Sequence, residues 1–101
     1  MSHPNRLEYM DLTDEALIDK FREDGDMTLF RTLVKRYQNR VYSTAFRVVG
    51  SSEEAEEVVQ DTFVKVHQNL DKYRSNSSFA SWLFRITHNL CMDNLRVKQR
   101  R

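Results

Sequence analysis

The chain has 101 residues, a single cysteine and a formal net charge of +1. That length favours one domain, and a lone cysteine excludes an internal disulfide and suits a reducing compartment. No apolar run is long enough to span a membrane, and the N-terminus lacks the apolar core of a signal peptide. We therefore expect a cytoplasmic protein that makes no membrane contact.

The small net charge conceals four blocks of alternating sign. Residues 1–26 carry a net −5, residues 27–50 carry +5, residues 51–71 carry −5 and residues 72–101 carry +6. Such alternation is typical of separate surfaces for different partners, or of oppositely charged helices that pack against one another. The sequence leaves both interpretations open.

Two helices are predicted in the first half of the chain. Residues 1–11 are expected to form a flexible leader, with no periodicity through Met10. Thr13 is a suitable N-cap for a first helix, which should end at Gly25 because glycine readily adopts a left-handed backbone conformation. Asp26 can cap a longer second helix that ends at Gly50.

The second helix is apolar over a wide arc, which indicates packing against more than one neighbour. Its main apolar stripe comprises Phe30, Leu33, Val34, Tyr37, Val41, Ala45 and Val48, with Tyr42, Phe46 and Val49 beside it. The remaining side contains Arg36, Arg40 and Arg47. We interpret these three residues as a solvated face.

A third helix should begin at a capping box, with Ser51 as the cap and Glu54 three residues later. The side expected to be buried comprises Ala55, Val58, Val59, Thr62, Phe63, Val66 and Leu70. The outward side comprises Glu53, Glu57, Gln60, Asp61, Val64 and Gln68, with His67 at its edge. An apolar Val64 among acidic and amide groups is either an ordinary exposed valine or part of a protein-docking site.

The last part of the sequence has a polar loop between two aromatic residues, Tyr73 and Phe79, and then a helix capped by Ser78. A helical projection places Phe79, Leu83, Ile86, Leu90 and Val97 on one stripe, which we interpret as core. A separate stripe contains Arg85, Asn89, Met92, Arg96 and Arg100, with Trp82 at its border. Arginine, asparagine and aromatic side chains in this arrangement suit nucleic acid, although a solvated basic face is the alternative.

No catalytic constellation is visible. His67 and His88 lie on different helices without a neighbouring nucleophile, and there is no glycine-rich phosphate loop. His88 and Cys91 could supply only half of a zinc site. The sequence therefore predicts no enzyme activity, no metal and no cofactor.

Three segments resemble conserved region 2 of bacterial sigma factors, specifically those of the extracytoplasmic-function (ECF) group. They are EAEEVVQDTF at 54–63, DKYR at 71–74 and SFASWLFRITHN at 78–89. The resemblance covers residues 12–101, which would form a region 2 domain. It implies an all-α, compact bundle of about four helices.

The resemblance also implies roles for both faces. The third helix would dock on the clamp helices of the largest subunit of core RNA polymerase, through Glu57, Gln60, Asp61, Val64 and His67. The loop and the fourth helix would recognise and help melt the −10 promoter element, capturing a flipped base of the non-template strand. The implied DNA-binding residues are Tyr73, Arg74, Ser75, Asn76, Ser77, Ser78, Phe79, Arg85, Asn89, Arg96, Lys98 and Arg100.

Further expectations follow from the family. Its members are commonly silenced by anti-sigma factors, so such an inhibitor is an expected partner. They also carry a second domain that reads the −35 element, so we expect this sequence to be a fragment without that domain. The competing hypotheses are a protein-only module that binds polymerase or an anti-sigma factor without reading bases, and a simple duplex-binding domain.

Overall fold

A computed structural model describes residues 9–74 and 76–100 of the chain. This part contains four α-helices, one short 3₁₀ helix and no β-strand. The elements are α1 (Asp14–Asp24), α2 (Met27–Val49), α3 (Ser52–Asn69), the 3₁₀ helix (Leu70–Lys72) and α4 (Phe79–Gln99). The predicted all-α class with four helices is confirmed. None of the described helices is long and apolar enough to cross a membrane.

The helices begin at the capping residues that the sequence predicts. The side chains of Thr13, Ser51 and Ser78 each accept a hydrogen bond from the backbone N–H three residues later, at 3.1, 3.4 and 3.1 Å. Asp26 caps α2, because its Oδ1 accepts a hydrogen bond from the backbone N–H two residues later at 2.9 Å. These bonds satisfy N–H groups that have no partner within a helix.

Two glycines end helices, also as predicted. Gly25 has φ of 70° and Gly50 has φ of 79°, and both are therefore in the left-handed region. Their N–H groups donate to the carbonyl oxygens of Phe21 at 2.8 Å and Phe46 at 2.9 Å. A side chain at either position would strain the backbone, so glycine fixes both boundaries.

The chain divides into two compact units, Met1–Tyr37 and Gln38–Arg101. In the first unit, Asp14 accepts hydrogen bonds from Arg36 Nη1 at 3.0 Å and from the Tyr37 hydroxyl. Nη2 of Arg36 also donates to the carbonyl oxygens of Tyr9 at 3.1 Å and Met10 at 3.0 Å. Arg36 is therefore a structural residue, and its assignment to a solvated face is wrong.

Tyr9 also differs from the expected flexible leader. Its side chain is buried, and its hydroxyl donates to Oδ2 of Asp26 at 2.9 Å. This segment has no periodic signal in the sequence, because the Tyr9 side chain and the bonds from Arg36 to the carbonyls of Tyr9 and Met10 hold it in place. Residues 1–8 of the expected leader lie outside the described residues.

The second unit has a small core shared by its helices. The fully or nearly fully buried members of one cluster are Ala45, Val49, Ala55, Val58 and Cys91. α3 and α4 are also linked by a hydrogen bond between the buried hydroxyls of Thr62 and Thr87, whose oxygens are 3.4 Å apart. Thr87 and Cys91 were not placed in the predicted core.

Conversely, the core position predicted for Val97 is wrong, because this side chain is 50% exposed. Met92, which the projection placed on the basic stripe, packs instead against the core cluster. A wheel of 100° per residue gives the angular position of a side chain but not how far a neighbouring helix extends alongside it. Val97, in the last turn of α4, is therefore half-exposed although it shares a stripe with the buried Leu83.

The buried Cys91 supports a first prediction. Burial raises the pKa of the Cys91 thiol above its ordinary value, because desolvation disfavours the thiolate. Thiolate is the reactive form, so we expect an alkylating reagent to modify the native protein far more slowly than the urea-unfolded protein. Mass spectrometry of timed samples measures both rates. Equal rates in the two states would contradict the buried position.

Candidate functional site

The loop before α4 rests on three aromatic rings. Tyr73 and Phe79 are 2% and 1% exposed, and their ring centroids are 5.9 Å apart in an edge-to-face arrangement. Trp82 packs on both, with centroid distances of 5.3 Å to Tyr73 and 6.0 Å to Phe79. The sequence placed Tyr73 and Phe79 among the residues that contact DNA. In the structure they lie beneath the loop and support it, so their rings present no open stacking surface.

Hydrogen bonds fix the path of the loop itself. The Tyr73 hydroxyl donates to the carbonyl oxygen of Ser77 at 2.8 Å, which bridges the base of the loop. Nη1 of Arg74 donates back to the carbonyl oxygen of Asp71 at 2.7 Å. Asn76 is exposed, whereas Ser77 is half-buried. The predicted site residue Ser75 lies outside the described residues.

Ser78 combines a capping role with an exposed position. Its Oγ accepts a hydrogen bond from the backbone N–H of Ser81 and lies 2.9 Å from the Ser81 hydroxyl oxygen. The cap fixes the direction in which α4 leaves the loop. A ligand at Ser78 would therefore meet a hydroxyl that is already held in place.

The predicted basic stripe of α4 is largely present. Arg85, Asn89 and Arg96 are all exposed on this helix, and Arg100 is exposed at its C-cap. Arg96 forms an ion pair with Asp93, in which both side chains are about three-fifths exposed, at 62% and 61%. Such a pair contributes little to stability and leaves the guanidinium accessible. The stripe can thus contact a phosphate backbone.

Lys98 does not belong to that stripe. Its Nζ pairs with the Glu54 carboxylate and donates to the carbonyl oxygen of Val49 at 2.9 Å. Its role in holding a phosphate stays a prediction, and the ammonium group would have to leave or share these partners to reach a phosphate. The two groups of Glu54 thus have different partners. Its carboxylate pairs with Lys98, and its backbone N–H donates the capping hydrogen bond to Ser51 Oγ.

A cleft lies beside the stripe, between α3, the 3₁₀ helix and α4, with a volume of about 280 Å³. Its lining residues are Lys65, Asn69, Lys72, Trp82, Ile86, Asn89, Leu90 and Asp93. An indole wall with amide, ammonium and carboxylate groups can surround a small flat polar molecule. Only Asn89 of this cleft was predicted as a site residue.

The sequence missed the other polar groups of the cleft because they come from three separate elements. Lys65 is the only basic residue between residues 51 and 71, and this isolation in an acidic block was the available signal. Lys72 ends the 3₁₀ helix that follows α3, and Asp93 is the only acidic residue after residue 71. Lys65 and Asp93 depart from the charge of their blocks, whereas Lys72 does not, and the fold brings all three together.

The outward side of α3 is exposed as the pattern indicates. Glu57, Gln60, Asp61, Val64 and His67 are all exposed, and Val64 is 52% exposed. Their spacing places them on one side of the helix. The face therefore offers an apolar side chain within a mostly acidic and amide surface, the composition that part of a protein interface can have.

These elements together define an all-helical domain with a basic helix, a polar loop and an acidic helix face. A family model described as Sigma-70 region 2 matches residues 33–101. The chain therefore belongs to the sigma-70 region 2 family, which confirms the resemblance found in the sequence. Members of this family are transcription initiation factors rather than enzymes.

Curated relatives carry ECF sigma factor names. The chain is 39% identical over 90 residues to the ECF RNA polymerase sigma-E factor of Escherichia coli strain K12, covering 89% of this chain and 46% of that protein. It is 35% identical over 75 residues to the ECF RNA polymerase sigma factor SigW of Bacillus subtilis strain 168, covering 74% of this chain and 40% of that protein. The chain thus spans less than half the length of these relatives.

A solved structure matches as well. It is the NMR structure of an engineered region 2 of sigmaE in complex with GTAAAA, with a TM-score of 0.79 and 37% sequence identity. The match covers 88% of this chain and 92% of that one. The region 2 fold is therefore confirmed for this chain.

Proposed function

We propose that this chain is the part of a bacterial transcription initiation factor that recognises and helps melt the −10 promoter element. The loop and α4 would hold the non-template strand as single-stranded DNA, with one flipped base captured at the loop. The observation that carries the proposal is the exposed basic and amide face of α4 beside an indole-walled cleft. The matching region 2 of sigmaE, solved in complex with GTAAAA, supports the choice of ligand.

The chemistry of the face suits an unpaired strand. Arg85, Arg96 and Arg100 supply positive charge for phosphates, whereas Asn89 can pair with the edge of a base. Unstacking a base costs a few kcal/mol, which hydrogen bonds and stacking in a shaped site can offset. A loop already held by Tyr73 loses less conformational entropy on binding, which favours affinity.

The partner assignment is a second part of the proposal. The exposed face of α3 would dock on the clamp helices of the largest subunit of core RNA polymerase. Melting requires that partner, because each base-pair step contributes about 1.4 kcal/mol of stacking and one small domain makes few contacts. An anti-sigma factor that covers these surfaces, and a cytoplasmic location, complete the proposed function.

Asn89→Ala tests the DNA-binding part. The wild-type chain should enrich a short motif from a random pool of single-stranded oligonucleotides, and its affinity should fall steeply between about 50 and 200 mM salt. Asn89→Ala should weaken binding to the enriched motif by about 1–3 kcal/mol, because a base-edge contact is lost. Fluorescence anisotropy with labelled oligonucleotides measures both effects.

A matched control is Asn39→Ala, which removes an exposed asparagine from α2. It should leave both the motif and the affinity unchanged. Binding without any enrichment, insensitive to Asn89→Ala, would show that only phosphates are held. That result would favour the protein-only module, and tighter binding to duplex than to single strand would favour the duplex-binding alternative.

A further inference from the structure

We propose that the cleft between α3 and α4 selects a second base of the bound strand, one with an exocyclic amino group, and that Asp93 is its hydrogen-bond acceptor. Adenine, cytosine and guanine carry such a group, whereas thymine does not. The inference rests on the proposed function, since it requires single-stranded DNA on this face of α4. It assigns base discrimination to a residue outside the loop and outside the predicted basic stripe.

The acceptor chemistry of Asp93 gives the selectivity. An ionised carboxylate only accepts hydrogen bonds, and the amino groups of adenine N6 and cytosine N4 are donors. Guanine also presents donors, its N2 amino group and the N1–H, whereas thymine O4 is an acceptor where adenine and cytosine carry their amino groups and would face the carboxylate with like partial charge. Asn89, which lines the same cleft, can donate and accept and therefore adds a contact without reversing this preference.

Trp82 provides the stacking wall. Its ring is wedged against Tyr73 and Phe79, at centroid distances of 5.3 and 6.0 Å, and it also lines the cleft. A ring fixed in this way offers a stacking surface without a large loss of side-chain freedom on binding. The buried aromatic residues beneath the loop thus act on DNA by positioning Trp82.

The cleft can accept a negatively charged nucleotide although the Asp93 carboxylate lines it. Lys65 and Lys72 also line it, and their ammonium groups can contact the phosphates that flank the base. The Asp93–Arg96 pair is exposed on both sides, so it is weak. A carboxylate has about four acceptor positions, and a base amino group can bind while Arg96 stays in place.

The test uses the hexamer GTAAAA and variants in which each base in turn is replaced by the other three. We expect the wild-type chain to prefer adenine, cytosine or guanine over thymine at one position by about tenfold, as a good base contact allows. Asp93→Asn should flatten the preference at that position, because an amide can both donate and accept. The preferences at the other positions and the salt dependence should stay unchanged.

Two control variants isolate the carboxylate. Asp19→Asn removes the acidic member of an exposed Asp–Arg pair of the same spacing in α1, and should leave every preference intact. Arg96→Ala removes the partner of Asp93 and should weaken all hexamers alike while keeping the amino-group preference. If Arg96→Ala flattened the preference as Asp93→Asn does, Asp93 would act only by positioning Arg96, and the inference would be wrong.

The possible results distinguish a failure of this inference from a failure of the proposed function on which it rests. Base-specific, salt-dependent binding with an identical profile in Asp93→Asn would overturn the inference and leave the proposed function standing. If the wild-type chain bound all hexamers equally, that result would contradict both the proposed function and the inference. Preserved helix content by circular dichroism ensures that an altered profile comes from a folded variant.

Discussion

Leu83→Ala lowers the free energy of unfolding by about 2–5 kcal/mol, the range for truncating a buried leucine to alanine. Leu83 is fully buried in α4, with 0% of its surface exposed. The substitution removes apolar contacts and leaves a cavity that the surrounding helices fill only in part. Urea unfolding followed by circular dichroism gives the change directly.

Val97→Ala is the matched control for this prediction. The helical projection places Val97 on the same apolar stripe as Leu83, yet its side chain is 50% exposed. Its truncation should change the free energy of unfolding by less than about 0.5 kcal/mol. Similar losses for both variants would show that the end of α4 is buried after all, as the sequence pattern alone suggests.

The combined variant Gln60→Ala, Asp61→Ala raises the dissociation constant for core RNA polymerase by about thirtyfold or more. Both residues are exposed on α3 beside Val64, and truncation of a single interface hot spot costs about 2 kcal/mol or more, which corresponds to about thirtyfold in the dissociation constant. Binding to single-stranded promoter DNA should stay within about twofold, because neither residue lines the α4 cleft. Competition for purified core polymerase and oligonucleotide anisotropy measure the two affinities.

Gln99→Ala with Asp19→Ala removes the same two residue types from exposed positions elsewhere and should affect neither partner. An equal fall in both affinities for the α3 variant would show that the two surfaces are not separate. Unchanged polymerase binding would move the docking site away from α3. Either result would require a different assignment for the acidic face.

The helix boundaries could be predicted because their causes are local. Thr13, Asp26, Ser51 and Ser78 cap helices through contacts within three residues, and Gly25 ends α1 through its own backbone conformation. Such signals are readable without knowledge of the fold. The same is true of the exposed face of α3, where helical spacing alone predicts the outward side, while the resemblance to the family selects five of its residues as the docking site.

The partners of long side chains could not be predicted in this way. Arg36 and Lys98 both appeared to be surface cations, yet each bonds to residues far away in the sequence. The guanidinium group of Arg36 and the ammonium group of Lys98 donate to backbone carbonyl oxygens that lie close to them only in the folded chain. The cleft was missed for a similar reason, because Lys65, Lys72 and Asp93 converge from three separate elements.

The ammonium group of Lys98 connects three helix ends. Lys98 joins the final turn of α4 to the carbonyl of Val49 at the end of α2 and to Glu54 in the first turn of α3. Helix ends ordinarily fray, but here the last turn of one helix is tied to the junction between two others. These contacts therefore oppose fraying of the last turn of α4 and connect it to the segment where Gly50 bends the chain.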